Sequence, residues 1–246
     1  LKKQRLDTLI VERGLAESRE KARALILAGQ VTVHGDAAAK AGTMVPVDAD
    51  IRVAGPDHPW VSRGGIKLAH ALQAFGISAK GAIALDIGAS TGGFTDVWLQ
   101  HGARHVIAVD VGHGQLHWKM RSDPRVTVIE SMNARYLKPG DLPDTGGPIT
   151  RVSIDVSFIS LRHILPVLPP VIARGSDIVA LIKPQFEAGR DDVGKGGLVM
   201  DPSVHARVID EVSTAAAEVG LTRHGLIDSP ITGAEGNKEF LVHLRS

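Results

Sequence analysis

An α/β fold, with helices flanking a mostly parallel sheet and a small α+β module in front, is predicted from three features of the 246-residue chain. From residue 61 onward, short apolar runs alternate with helical patterns. The stretch "LDIGASTGGFTDVWLQHG", 85–102, reads as a buried strand that enters a glycine-rich turn and then a helix. Residues 5–30 instead carry two short amphipathic helices, followed by brief strands.

In the front module, Leu6, Leu9 and Ile10 recur at helical spacing, and Gly14 stands where a C-terminal cap belongs. Ser18 is the expected N-cap of the second helix, which buries Ala22, Leu25 and Ile26 and stops at Gly29. "VTVHG" and "DIRVAG" read as short strands. "AGPDHPW", with two prolines and a glycine, is the expected linker, which sets a module at 1–55, a linker at 56–62 and a large domain at 63–246. In that domain "AIALDIG", "HVIAVDV", "VTVIE", "RVSIDVS" and "DIVALIKP" are the expected parallel strands. "GLIDSPITGAEGNKEFLVHLRS" closes the chain as two strand-like runs around a short glycine-bearing turn, which makes the last strand antiparallel.

Composition narrows the function classes. Apolar residues form 43% and charged residues 22% of the chain, an ordinary globular balance. The net charge of +1 gives no global field for nucleic acid, yet residues 1–30 hold seven Lys/Arg against four Asp/Glu. Arg5, Arg19, Lys21 and Arg23 lie there; on charge alone they form a solvated face. The absence of cysteine excludes disulfides, thiolate zinc sites and cysteine nucleophiles. No apolar run approaches membrane-spanning length and no signal segment opens the chain, so a soluble cytoplasmic protein is expected. His113 and His117 are four apart but have no obvious third ligand, so no metal is expected.

The glycine turn holds the candidate chemistry. In doubly wound sheets, ligands sit beyond the carboxyl ends of the strands, and Gly88, Gly92 and Gly93 occupy that place. No Lys-Ser/Thr follows, which removes a P-loop. The spacing is G-x-x-x-G-G after Asp86, whose charge would repel a pyrophosphate, so a dinucleotide site fails as well. Two readings remain. Gly88-Ala89-Ser90-Thr91-Gly92 fits the G-x-S-x-G elbow of a serine hydrolase, with Asp177 or Asp201 and His205, His224 or His243 completing a triad. Alternatively Asp86 and Asp110, 24 residues apart, flank a nucleoside that bears an ammonium group and a ribose diol, as S-adenosylmethionine does without any phosphate. Either Asp alone also reads as a helix N-cap. Asn133 suits an adenine edge or a turn, and Phe94 suits a cofactor contact or the core. The loop "FEAGRDDVGKGG", 186–197, suits a mobile lid or an RNA contact.

Two resemblances sharpen these readings. Arg-Leu-Asp at 5–7, Gly-Leu, Ser-Arg, a helix ending in Ala-Gly and then Val-x-Val-x-Gly resemble the S-four-like RNA-binding domain. That resemblance implies that Arg5, Arg19, Lys21 and Arg23 face RNA phosphates. "SRGGIKL", "DIGASTGGF", "DVSFISL", "LIKPQFE" and "GNKEF" resemble, over nearly the whole chain, the TlyA-type ribosomal RNA 2′-O-methyltransferases, often labelled haemolysins. Their catalytic domain is similar to the FtsJ-like methyltransferases. The resemblance implies a Rossmann-like S-adenosylmethionine-dependent methyltransferase sheet and ribosomal RNA in ribosomal subunits as partner. It also implies a catalytic set at Lys67, Asp155, Lys183 and Glu239, with cofactor contacts along Asp86, Gly88, Ala89, Ser90, Thr91, Gly92, Gly93, Phe94, Asp110, Asn133 and Asp155. Lys183 is then the expected proton acceptor for a ribose 2′-hydroxyl. A membrane-active haemolysin is the competing reading, but no basic amphipathic helix of useful length supports it. A non-catalytic RNA-binding protein is another, against which the intact Lys-Asp-Lys-Glu order stands.

Overall fold

The structure, a computed structural model, describes residues 2–27, 29–38, 40–53, 58–233 and 236–246. The chain forms two compact units, Leu1–Pro59 and Trp60–Ser246. Residues 54–57, which include the first two positions of the expected linker, lie outside the described residues. Trp60 and Val61 pack within the second unit: the Trp60 ring stacks on His101 at 5.6 Å, and the Val61 N–H donates to Asp96 at 2.9 Å.

The first unit runs β1 (Lys3–Arg5), α1 (Leu6–Glu12), α2 (Arg19–Leu27), β2 (Val31–Val33), β3 (Asp36–Ala37), β4 (Met44–Pro46) and β5 (Ile51–Val53). β2 pairs with β3 and β5, while β1 pairs with β4, a ribbon too short to show an alternating pattern in the sequence. Leu6, Leu9 and Ile10 of α1 meet Ala22 and Ile26 of α2 over Val31 and Ile51. The expected cap is present: Ser18 Oγ accepts the Lys21 N–H at 3.2 Å. Burying this stripe is what holds two helices each too short to persist alone in water.

The second unit runs α3 (Gly64–Phe75), β6 (Ile83–Ile87), α4 (Gly93–Gln100), β7 (His105–Val109), α5 (Trp118–Arg121), β8 (Val126–Ile129), β9 (Ile149–Ile154), β10 (Asp177–Ile182), α6 (Pro184–Glu187), α7 (Pro202–Glu218), β11 (Thr222–Asp228) and β12 (Phe240–Arg245). The sheet order is β11-β12-β10-β9-β6-β7-β8. β6 to β10 are parallel, and β12 is antiparallel to both of its neighbours. The chain steps outward from β6 to β8 and then returns to lay β9 on the other side of β6. That reversal opens a crevice at the carboxyl ends of β6 and β9, where open α/β sheets bind ligands.

Period-two alternation in β6 sends Ile83, Leu85 and Ile87 to one core, which also contains Val204, Val208 and Val212 of α7. Ala84 faces the other core, with Leu68 of α3 and Val97 and Trp98 of α4. Between β9 and β10 the crossover carries only short 3-10 turns, Leu161–His163 and Leu165–Val167. Pro166, Pro169 and Pro170 withhold the amide donors that a longer helix there would need.

The connection from β11 to β12 differs from the expected short turn. It spans 229–239, and only its strands follow the hairpin pattern. This segment is long because it returns to the crevice. The loop 186–197 is also held rather than free: the Asp192 carboxylate accepts from Arg207, and Asn237 Nδ2 donates to the Gly197 carbonyl at 3.0 Å. Among the described residues, no helix is long and apolar enough to cross a membrane.

Candidate active site

A cavity of about 290 Å³ opens at the crevice between β6 and β9. The turn 88–93 forms one wall, Arg63, Gly64 and Lys67 at the start of α3 a second, and Asp155 a third. Ile231–Gly233, from the long last connection, complete it. Phe94 is buried in the core beneath, as its core reading expects, and also lines the cavity.

The glycines of the turn are demanded first by the protein itself. Gly88 has φ +82°, and a Cβ there would stand 2.4 Å from the Asp155 carbonyl oxygen. A Cβ on Gly93 would stand 2.3 Å from Ser62 Oγ. The turn thus lets the end of β9 and the segment before α3 close around one cavity.

Two ion pairs reach this cavity, each through one member. Lys67 Nζ lies 2.5 Å from Glu239 Oε2, with Lys67 only 8% and Glu239 only 2% exposed. Lys183 Nζ, on a residue 9% exposed, lies 2.7 Å from Asp155 Oδ1 and donates to Ser157 Oγ at 2.9 Å. Lys67 and Asp155 both line the cavity. Asp155 Oδ1 is buried and, among the described residues, is held by the Lys183 ammonium alone. As a lone helical residue, Lys67 would more simply be a surface lysine; the ion pair with a residue 172 positions away excludes that reading.

Each half of each pair is placed by its element. Lys183 follows the apolar run of β10 and Asp155 follows β9, its N–H donating to the Ile87 carbonyl at 2.9 Å. Glu187, at the end of α6, clasps the two loops: its carboxylate accepts from the Leu161 N–H at 2.8 Å and from Ser160 Oγ. Burial pushes the Glu187 carboxyl up.

Asp86 is not brought to the cavity. It is fully buried, and its carboxylate accepts from Thr95 Oγ1 at 2.7 Å and from Ser153 Oγ at 2.8 Å, with Trp98 Nε1 donating in turn to Ser153. Burial pushes its pKa up to about 6 against the pull of these two hydroxyls. Alternation decides the matter: Asp86 shares the face of Ala84 and points at α4. Asn133 is likewise spent locally, its Oδ1 accepting the Arg135 N–H at 3.1 Å as the cap of a 3-10 turn. Asp110 holds the turn instead, accepting from the Ser90 N–H and the Gly112 N–H, each at 2.7 Å. It lies in a narrow recess of about 10 Å³ on the far side of Ala89 and Ser90, between Ala108, Leu116 and Val128.

The hydrolase triad does not assemble. Ser90 has the strained φ of +47° that an elbow needs, yet no histidine lines the cavity among the described residues. His243 bonds Asp177 at 2.9 Å, but Asp177 starts β10 and so lies at the opposite end of the sheet from Ser90. Asp201 caps α7, and His205 contacts the Val199 carbonyl. Among the described residues no group of three or more His, Asp or Glu is placed to hold a metal ion.

Sequence reasoning missed Phe158. It is 91% exposed with φ +62°, three residues beyond Asp155, and its ring meets Phe186 at 5.0 Å. A lone aromatic beside "DVS" carried no periodic signal that could have marked it. In the first unit Arg5, Arg19 and Arg23 converge on Asp7, whereas Lys21 stays exposed and outside that group.

Comparison with known proteins adds to this geometry. The FtsJ-like methyltransferase profile matches residues 60–246, and the S4 domain profile matches residues 4–51. YqxC of Bacillus subtilis, provisionally designated an rRNA methyltransferase, is 53% identical over 243 residues, 99% of this chain and 86% of its own. The 16S/23S rRNA (cytidine-2′-O)-methyltransferase TlyA of Mycobacterium tuberculosis is 47% identical over 246 residues, 100% of this chain and 91% of its own. A solved structure from Streptococcus thermophilus, bearing a hemolysin name, superposes with a TM-score of 0.78 at 46% identity, covering 99% of this chain and 88% of that one. An N-methyltransferase of Bradyrhizobium japonicum, solved with S-adenosylhomocysteine, shares the fold alone: TM-score 0.51 at 14% identity, over 78% of this chain and 93% of that one.

Proposed function

The chain belongs to the FtsJ-like methyltransferase family, and on that footing we propose that it methylates the 2′-hydroxyl of a cytidine ribose in ribosomal RNA, with Lys183 as proton acceptor. Its methyl donor is S-adenosylmethionine. The observation that carries the mechanism is the meeting of Lys67–Glu239 and Lys183–Asp155 at one cavity.

The residues present fit that cofactor. Asp155, which lines the cavity, supplies a carboxylate for its ammonium group, and the glycine turn 88–93 brings backbone to the same wall. Asp110 retains acceptor capacity for ribose hydroxyls beside the apolar Leu116 and Val128, although its recess must widen to admit a nucleoside. When bound, S-adenosylmethionine supplies a methyl group made electrophilic by its sulfonium. The chain's own work is then to place and deprotonate the alcohol. In its neutral form Lys183 Nζ would take the 2′-hydroxyl proton as the ribose oxygen accepts the methyl group and the sulfonium departs as a neutral thioether, and Asp155 would balance the ammonium so formed. Glu239 holds Lys67 against the cavity, and Arg63, unpaired among the described residues, offers a cation at its mouth for an RNA phosphate. The exposed Phe158, backed by Phe186, gives a turned-out base a face to stack on.

The test is transfer of a labelled methyl group from S-adenosylmethionine to ribosomal subunits, followed by mapping of the modified ribose. Lys183→Ala should bind the cofactor normally yet lose at least about 10²-fold in kcat. Normal methylation by that variant would remove Lys183 as the base. Failure of the unmodified protein to label ribosomal RNA would remove the whole reading.

A further inference from the structure

In the first unit one carboxylate organises three cations. Asp7, the second residue of α1, is fully buried. Arg5, at the end of β1, grips it with two bonds, Nε to Oδ1 at 3.0 Å and Nη2 to Oδ2 at 2.8 Å. Arg19 Nη2 donates to Oδ2 at 3.3 Å, and Arg23 Nε lies 3.4 Å from the same oxygen. Arg19 and Arg23, four apart, share a face of α2. The three guanidinium side chains remain about half exposed, at 42%, 55% and 58%. The bonds from Arg5, and then from Arg19, hold the Asp7 carboxyl well below the usual range.

Three positive groups would otherwise repel one another and sample many rotamers. A central buried anion cancels part of that repulsion and fixes each planar fork, while the unused N–H donors still face water. The cluster keeps a surplus of two positive charges, counted from three arginines and one aspartate.

We propose that Asp7 is a positioning residue for RNA: it presets Arg5, Arg19 and Arg23 as one rigid array that receives adjacent backbone phosphates. This rests on the reading of the chain as an RNA methyltransferase and adds to it the device by which the arginines are aimed. Charge alone and geometry give opposite signs when Asp7 is neutralised. By charge alone, Asp7→Asn gains a positive unit and should tighten RNA binding. If Asp7 presets the array, the freed arginines scatter and binding weakens.

The experiment measures binding of ribosomal RNA by the full-length protein across a salt series, beside cofactor binding to the second unit. Asp7→Asn is expected to weaken RNA binding at least about fivefold and to flatten the salt dependence by about one phosphate contact, with cofactor affinity unchanged. Arg5→Lys keeps the charge but loses the two-pronged grip; with its fold checked by the unfolding midpoint, it too should weaken binding several-fold. Equal or tighter binding by a folded Asp7→Asn, or wild-type binding by Arg5→Lys, overturns the proposal. If instead Arg19→Gln and Arg23→Gln leave RNA binding intact, the arginine face is not the RNA surface and the proposal falls, while the methyltransferase reading is decided separately by labelling of ribosomal RNA.

Discussion

Replacing Gly88 by alanine tests how the glycine turn and the site are coupled. The added Cβ would lie 2.4 Å from the Asp155 carbonyl oxygen and 2.8 Å from its carbonyl carbon. Both are backbone atoms, which cannot rotate aside as a flexible side chain can. Restoring even a tight contact requires a shift of at least about 0.6 Å at the end of β9. That shift strains the bond from the Asp155 N–H to Ile87 and carries Asp155 away from Lys183. Alanine at φ +82° costs about 1–2 kcal/mol by itself, and the overpacking a further 1–3 kcal/mol. The total of about 2–5 kcal/mol corresponds to a fall of about 5–15 °C in the unfolding midpoint of a unit this size. Tryptophan fluorescence reports on the right part, since Trp60, Trp98 and Trp118 all lie in the second unit. Gly76→Ala is the control, because Gly76 has φ +65° and nothing within 4 Å of its would-be Cβ. It should lose only the backbone share, about 2–6 °C, and keep its activity. Equal midpoints for the two variants, with methyl transfer intact in Gly88→Ala, would refute the claim that Gly88 is fixed by the approach of β9.

Other outcomes follow from the same site. Lys67→Met and Glu239→Gln should each cost about 3–5 kcal/mol in urea unfolding, while the double replacement should cost far less than their sum; additive losses would show that the two charges are not paired. Asp86 binds its proton more tightly folded than unfolded, so its contribution to stability is present below about pH 4 and is lost as pH rises to about 6, by at most about 3 kcal/mol. Asp86→Asn should flatten that segment of the stability–pH curve, and an unchanged slope would place its pKa elsewhere. Phe158→Ala should leave the unfolding midpoint and cofactor affinity unchanged and raise KM for RNA about fivefold or more, the scale of one lost base stack; an unchanged KM would mean that no base sits there.

The two cations of the site were not equally plain beforehand. Lys183 and Asp155 sit immediately after apolar strands, and a strand end in a parallel sheet is a place with a known function. Lys67 and Glu239 carry no such local signal, and only the likeness of "SRGGIKL" and "GNKEF" to a family marked them. Asp86 shows the opposite failure. It stands at the position a cofactor-binding acid should take, yet which face of the strand it occupies is set by one step of register.

Short-range order is what the sequence by itself determined: strand runs, glycine stops, helix caps and the alternation that makes a parallel sheet, all of which depend on spacing within a few residues. Tertiary structure alone decided the rest. It folded the long last connection back so that Glu239 met Lys67, 172 positions away. It also brought Arg5, Arg19 and Arg23 onto one buried carboxylate. Such charged partners, whether two or 172 positions apart, are selected by packing and by the high cost of burying a charge without its counter-ion, and neither leaves a periodic trace in the sequence.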